Sequence, residues 1–206
     1  MSENNWLKIP KEKEIHETIS SLKNRGINVF IVGNKKEALE KIKEIIPKRS
    51  EIMFGSSLTL EEIGFFSLLE SEKNRWKNFS EKIKNENDPS KRQDLRRKAV
   101  TAEYFLGSVN AIAKTGELVA CDASGSRVGA YPFAAKNLIL VAGIQKITKN
   151  LEEAIKRVRE YVFPLENERA KKIYGMPSAT AKWVIIEREI IPNRINLILV
   201  KEKLGF

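Results

Sequence analysis

Three short stretches concentrate the polar groups that hold small anions. Gly55-Ser56-Ser57 follows the apolar run Ile52-Met53-Phe54 and precedes Thr59. A glycine there admits a ligand close to the backbone and two hydroxyls can donate to it. A helix starting at Thr59 would add free N–H groups and a positive dipole end. Read structurally, the same residues are only a strand-to-helix turn. Asp122-Ala123-Ser124-Gly125-Ser126-Arg127 places a carboxylate, hydroxyls and a guanidinium within one loop. Arginine grips carboxylates or phosphates through two donors, and Asp122 suits a base or a hydroxyl acceptor. The structural counterpart is an Asx turn with a locally paired arginine. Arg127 is expected to serve a ligand rather than the core, so that its removal spares the fold. Gly143-Ile144-Gln145-Lys146 closes another apolar run, and its lysine either reaches over a sheet edge toward an anion or stays solvated in a loop. Ser108 and Asn110 alternate with apolar residues, facing the same crevice or covering a sheet edge.

Other chemistries are poorly supplied. The 206 residues contain one cysteine, Cys121, and one histidine, His16. A disulfide within the chain, a four-cysteine cluster and a two-histidine metal motif are therefore excluded, and no metal or cofactor is expected. Cys121 lacks a histidine partner and reads as a small buried hydrophobe. His16 reads as a surface residue. The spacing Gly125-x-x-x-Gly129 is no dinucleotide fingerprint and matches no phosphate loop.

The elements that must position these residues follow from periodicity. Ile15, Ile19 and Leu22 predict a helix over 11–25, ended by Gly26. Asn28–Val32 reads as a buried strand. Asn34 with Glu37 then caps a helix bearing Leu39, Ile42 and Ile46, which Pro47 stops before a strand at Glu51–Phe54. This β–α–β opening implies a parallel sheet with helices on its faces. Thr59 with Glu62, and Ser90 with Gln93, read as further caps. Leu95, Ala99, Ala102 and Leu106 predict the inner face of a helix in a charged, helical middle. Stretches 108–113 and 117–122 flank Lys114-Thr115-Gly116 as an antiparallel hairpin. Asn137–Ala142 is a buried strand. Asn150 with Glu153 caps a helix bearing Leu151, Ile155, Val158 and Val162, and 194–200 is a last strand. Residues 170–186 fit strand or helix.

The fold class is therefore α/β: three layers, a mainly parallel mixed sheet and a β-hairpin excursion. No repeat or linker interrupts it, so residues 1–206 are expected to form one domain, with 1–26 as an N-terminal helix packed on it. The chain is 42% hydrophobic and 31% charged, without a run approaching the ~20 apolar residues of a membrane span or an apolar signal core. A cytoplasmic, reducing setting is expected. A net charge of +10, with Lys91-Arg92 and Arg96-Arg97-Lys98 as its densest part, raises nucleic-acid binding. The bland reading is a cationic, lysine- and glutamate-rich surface, and the basic stretch has no interleaved aromatics, so nucleic acid is not the expected partner.

The ordered set Gly55-Ser56-Ser57-Leu58-Thr59, Gly107-Ser108-Val109-Asn110-Ala111-Ile112, Thr115-Gly116-Glu117-Leu118-Val119, Asp122-x-Ser124-Gly125-x-Arg127, Leu140-Val141-Ala142-Gly143-x-x-Lys146 and Arg194-Ile195-x-Leu197-Ile198-Leu199-Val200 resembles the LUD (lactate-utilisation) domain. The motifs fall in order across residues 27–206. The resemblance implies a fold like that of ribose-phosphate isomerases, CoA transferases and formyltetrahydrofolate cyclo-ligase. It also implies a link to lactate utilisation, in which some members work beside iron–sulfur partners. It points to Ser56, Ser57, Ser108, Asn110, Asp122, Ser124, Arg127 and Lys146 as ligand-facing. Where some relatives carry cysteines, this chain has Tyr174-Gly175-Met176-Pro177-Ser178-Ala179-Thr180, which holds no cluster. The expected function is binding of a small anionic metabolite (carboxylate, phosphate or nucleotide-like), with or without catalysis. The rival is a non-catalytic accessory subunit that docks on an iron–sulfur protein.

Overall fold

The computed structural model describes residues 6–73 and 75–206. Met1–Asn5, where no signal core was expected, lie outside the described residues. Strands β1 (Asn28–Val32), β2 (Glu51–Phe54), β3 (Lys77–Asn78), β4 (Tyr104–Gly107), β7 (Asn137–Gly143) and β10 (Ile195–Val200) form a six-stranded parallel sheet in the order β1-β10-β7-β4-β2-β3. The hairpin, β5 (Ala111–Ala113) and β6 (Leu118–Asp122), belongs to a second sheet in the order β8-β5-β6-β9, completed by β8 (Ile147–Thr148) and β9 (Lys182–Ile186).

The side-chain period of two divides the core. On β7, Leu138, Leu140 and Ala142 face the second sheet and helix α1 (Glu12–Asn24), joined there by Phe105, Leu197 and Leu199. Ile139 and Val141, with Leu106 and Ile198, face the opposite layer of α2 (Lys35–Ile45), α3 (Leu58–Glu62) and α4 (Phe65–Ser71). The second sheet buries Val119 and Cys121 under α7 (Leu151–Arg157). Strands β7 and β10 are covered on both faces, which is why both read as unbroken apolar runs. Among the described residues no helix is long and apolar enough to cross a membrane.

Three local expectations need correction. The helix α6 (Pro89–Ala99) stops at Ala99, and the predicted inner-face residue Leu106 lies in strand β4. The 4-3-4 spacing from Leu95 is helical, but Phe105 and Leu106 fill opposite faces of a central strand, and that burial outweighs the local period. The caps also shift. Ser57, not Thr59, caps α3 by accepting the Leu60 N–H, and Asp88, not Ser90, caps α6 by accepting from Ser90 and Lys91 N–H. The undecided 170–186 segment divides into the end of α8 (Phe163–Tyr174) and strand β9. Between α7 and α8, Val158–Val162 winds as a π-turn in which Phe163 N–H bonds the Val158 carbonyl. Pro164 follows directly. It has no N–H for an ordinary helical bond and crowds the preceding turn, a recognised cause of such a bulge.

Candidate functional site

The carboxyl ends of β2, β4 and β7, the loop after β6 and the residues after β10 open onto one cavity of about 710 Å³. Helices α5 (Phe79–Asn85) and α6 wall it on one side and the π-turn with α8 on another, through Ile83, Arg96, Val162 and Arg169 among others. Gly55, Ser56, Ser57, Ser108, Asn110, Asp122, Ser124, Arg127 and Lys146 all lie on its wall; Gly125 and Gly143 do not. Gly125 takes a positive φ of 86° in the turn that Asp122 organises, with Lys182 packed against it. At Gly143 a side chain would meet the backbone of Glu202 and Leu204, so this glycine serves the packing of the chain after β10.

Several wall residues are already committed. The Asp122 carboxylate accepts the backbone N–H groups of Gly125, Arg127 and Val128, which makes it the organiser of its loop. Asn110 Oδ1 accepts the Cys121 N–H at 2.7 Å. Arg127 donates to the carbonyls of Ser108 at 3.0 Å and Cys121 at 2.6 Å, and its side chain is mostly buried. It therefore ties β4 to β6, contrary to the expectation that its loss would spare the fold. Gly55 is small for the same reason: a Cβ there would lie 2.7 Å from the Arg127 stem. The α3 helix has one turn, and Ser57 Oγ accepts one of its leading N–H groups, that of Leu60.

Lys146 is neither over a sheet edge nor in solvent. It is 3% exposed, and its Nζ lies 3.0 Å from Thr59 Oγ1, 3.0 Å from Ser108 Oγ and 3.1 Å from the Val109 carbonyl. The first turn of α3, the end of β4 and the 3-10 turn after β7 thus meet at one amine. Burial, then the nearby Arg157 and Arg127 cations, hold that amine well below the ordinary lysine range, with Glu62 opposing. Behind this wall Arg157 is fully buried. It donates to the Asn110 carbonyl at 2.5 Å and stacks on Tyr161, while its Nε and one Nη have no hydrogen-bond partner. Burial lowers its pKa to about 10. Cys121, also on the wall, is pushed up to about 11 by burial.

Thr59 as a contact, Arg157, Arg96 and Arg169 join the site without having been expected there. Arg96 lay within the basic run noted above, and its guanidinium reaches Ser126 at the cavity. Arg169 donates to Ser56 Oγ and pairs with Glu166 at 3.0 Å. Among the described residues no group of three or more His, Cys, Asp or Glu gathers to hold a metal ion.

A family model described as the LUD domain matches residues 15–200. The crystal structure of a DUF162-family protein from Deinococcus radiodurans shares the fold at a TM-score of 0.53 and 13% identity, over 94% of this chain and 99% of that one. Among proteins of curated function none matches the chain.

Proposed function

The chain belongs to the LUD-domain family, and on that premise we propose that its cavity binds a small anionic metabolite, a carboxylate, phosphate or nucleotide-like molecule. One observation carries the reading: buried positive charge without a matching carboxylate. Arg157 forms no ion pair among the described residues, Asp122 is engaged by three backbone N–H groups and lies 3.9 Å from Arg127, and Glu166 is paired with Arg169. An isolated buried cation costs several kcal/mol, and a ligand anion at the wall beside Asn110, whose carbonyl Arg157 holds, would offset that cost. Ser56 and Ser57 at the wall supply hydroxyls. The volume lies within the range of metabolite and cofactor sites and far exceeds a three-carbon acid, so a link to lactate utilisation would involve a larger ligand than lactate.

The test is thermal unfolding with inorganic phosphate, lactate and a nucleoside monophosphate, each against chloride at equal ionic strength. A ligand at 100 times its dissociation constant adds about 2.7 kcal/mol, a rise of roughly 5–10 °C for a chain this long. Curves that all coincide with chloride would remove the reading. A second reading, docking on an iron–sulfur partner, draws on the exposed Ile173, Tyr174 and Met176 near the cavity mouth. A stable complex with such a partner, lost on replacing Ile173 and Met176 by Ser, would favour it.

A further inference from the structure

We propose that Ser108 is a nucleophile and Lys146 its general base, in an acyl-transfer centre on the cavity wall that takes activated acyl compounds, esters or thioesters. The geometry carries this assignment. Ser108 Oγ and Lys146 Nζ are 3.0 Å apart, both residues are nearly fully buried, and both border the cavity. A neutral amine has two hydrogens and one lone pair, and Lys146 has three partners. The Val109 carbonyl can only accept and takes one hydrogen, and Thr59 Oγ1 takes the second. The lone pair is then left to the Ser108 hydroxyl proton, the arrangement of a serine–lysine pair. The lowered proton affinity of the amine agrees with this form. Thr59 Oγ1 accepts from Lys146 and lies 3.3 Å from Ser108 Oγ, so its own hydrogen stays available to a developing oxyanion. Ser108 is held in place through its carbonyl, which accepts from Arg127 at 3.0 Å and from Tyr131 at 2.9 Å.

In the first step Ser108 Oγ bonds to the acyl carbonyl carbon while its proton passes to Lys146 Nζ. The bond to the leaving thiol or alcohol breaks, and the leaving group takes that proton. Water then gives a proton to Lys146 as its oxygen joins the acyl carbon, the serine ester bond breaks, and Ser108 Oγ regains a proton from Lys146. The carboxylic acid is released, and no oxidant or reductant is needed. This centre shares the cavity with the anion reading but not its evidence, because an uncharged probe can react at Ser108 whether or not phosphate binds.

The experiment treats the full chain with an uncharged fluorophosphonate and maps the adduct by mass spectrometry. One adduct per chain on Ser108 is expected, absent in Ser108→Ala. Removal of a general base costs about 10²–10⁴-fold, so Lys146→Met should slow labelling at least 100-fold. Since that variant alters a buried network, the wild-type pH profile provides an independent readout. The groups facing Lys146 are Glu62 from α3, Arg127 from the loop after β6 and Arg157 from α7. Arg157 keeps its charge until near pH 10. The labelling rate should therefore rise and level off well below the range of a free lysine. No adduct, an adduct elsewhere with Ser108 unmodified, or a rate climbing without a plateau to pH 10 would each overturn the assignment.

Discussion

Lys146→Met isolates the ionisation state of the buried amine. Methionine nearly matches lysine in length and volume but cannot titrate. The unfolded lysine keeps its proton up to about pH 10.4. The folded amine, lowered by burial and by Arg157 and Arg127, loses its proton at lower pH. Between those two values the unfolded chain binds more protons, so this lysine makes stability rise with pH, by at most about 1.4 kcal/mol per pH unit. Below the folded value the destabilisation is complete and constant. The assay is denaturant unfolding of wild type and variant from pH 7 to 9, below the range where Arg157 titrates. Other groups, Cys121 included, contribute equally to both proteins and cancel in the difference. Wild type should gain on the variant by up to about 2.7 kcal/mol across that span. The lost hydrogen bonds of Lys146 displace the variant curve by a constant and leave its slope alone. Parallel curves would refute the reasoning, because they would mean that the buried amine stays charged.

Arg127→Ala removes two charge-assisted bonds to the Ser108 and Cys121 carbonyls and leaves the latter short of a donor. It should lose about 2–4 kcal/mol, a drop of roughly 5–15 °C in calorimetry; a melting point equal to wild type would restore a purely ligand role. At Gly107 a methyl group would enter the shell of the fully buried Tyr131 hydroxyl. Gly107→Ala should therefore cost about 2–4 kcal/mol, read by denaturant midpoint, with Gly107→Ala/Tyr131→Phe recovering part of it. Cys121 should react with iodoacetamide at pH 8 about 100-fold more slowly than a free thiol, since its pKa near 11 leaves little thiolate. Alkylation at the free-thiol rate would contradict the burial argument.

The sequence announced the opening β1–α2–β2 unit and the α7 cap because local signals and tertiary packing agree there: Asn34 and Asn150 accept the N–H groups of Glu37 and Glu153. It concealed β4, where a helical spacing coincides with a strand buried on both faces. The small polar residues that end β2, β4 and β6 pointed to the cavity wall, because loops at the carboxyl edge of a parallel sheet converge. Their individual tasks were not legible. Whether Asp122 meets a ligand or three backbone N–H groups depends on how one loop closes. The burial of Arg157 was hidden for a similar reason: at the end of an amphipathic helix an arginine ordinarily reaches solvent, and only the packing of α7 over the second sheet places it inside. Likewise Gly55 looks permissive toward ligands, while its neighbour in space is the stem of Arg127, far along the chain.

The pairing of β1 with β10 bears on how this chain is made. Asn28 and Asn196, 168 residues apart, are register partners, and among the described residues β1 has no other strand neighbour. On a ribosome adding 5–20 residues per second, β1 waits about 10–30 s for its partner. Throughout that interval Phe30 and Ile31 have no strand beside them, and β7, once made, lacks the neighbour that shields its other side until β10 follows. Closure of the sheet is thus a late, long-range event, and slow folding with exposed strand edges follows from it. A ribosome stalled before residue 195 would carry a chain whose β1 is cut off from the β7-β4-β2-β3 part of the sheet, with both facing edges open, the state most prone to pair with a neighbour and the one in which a holding chaperone has most to grip.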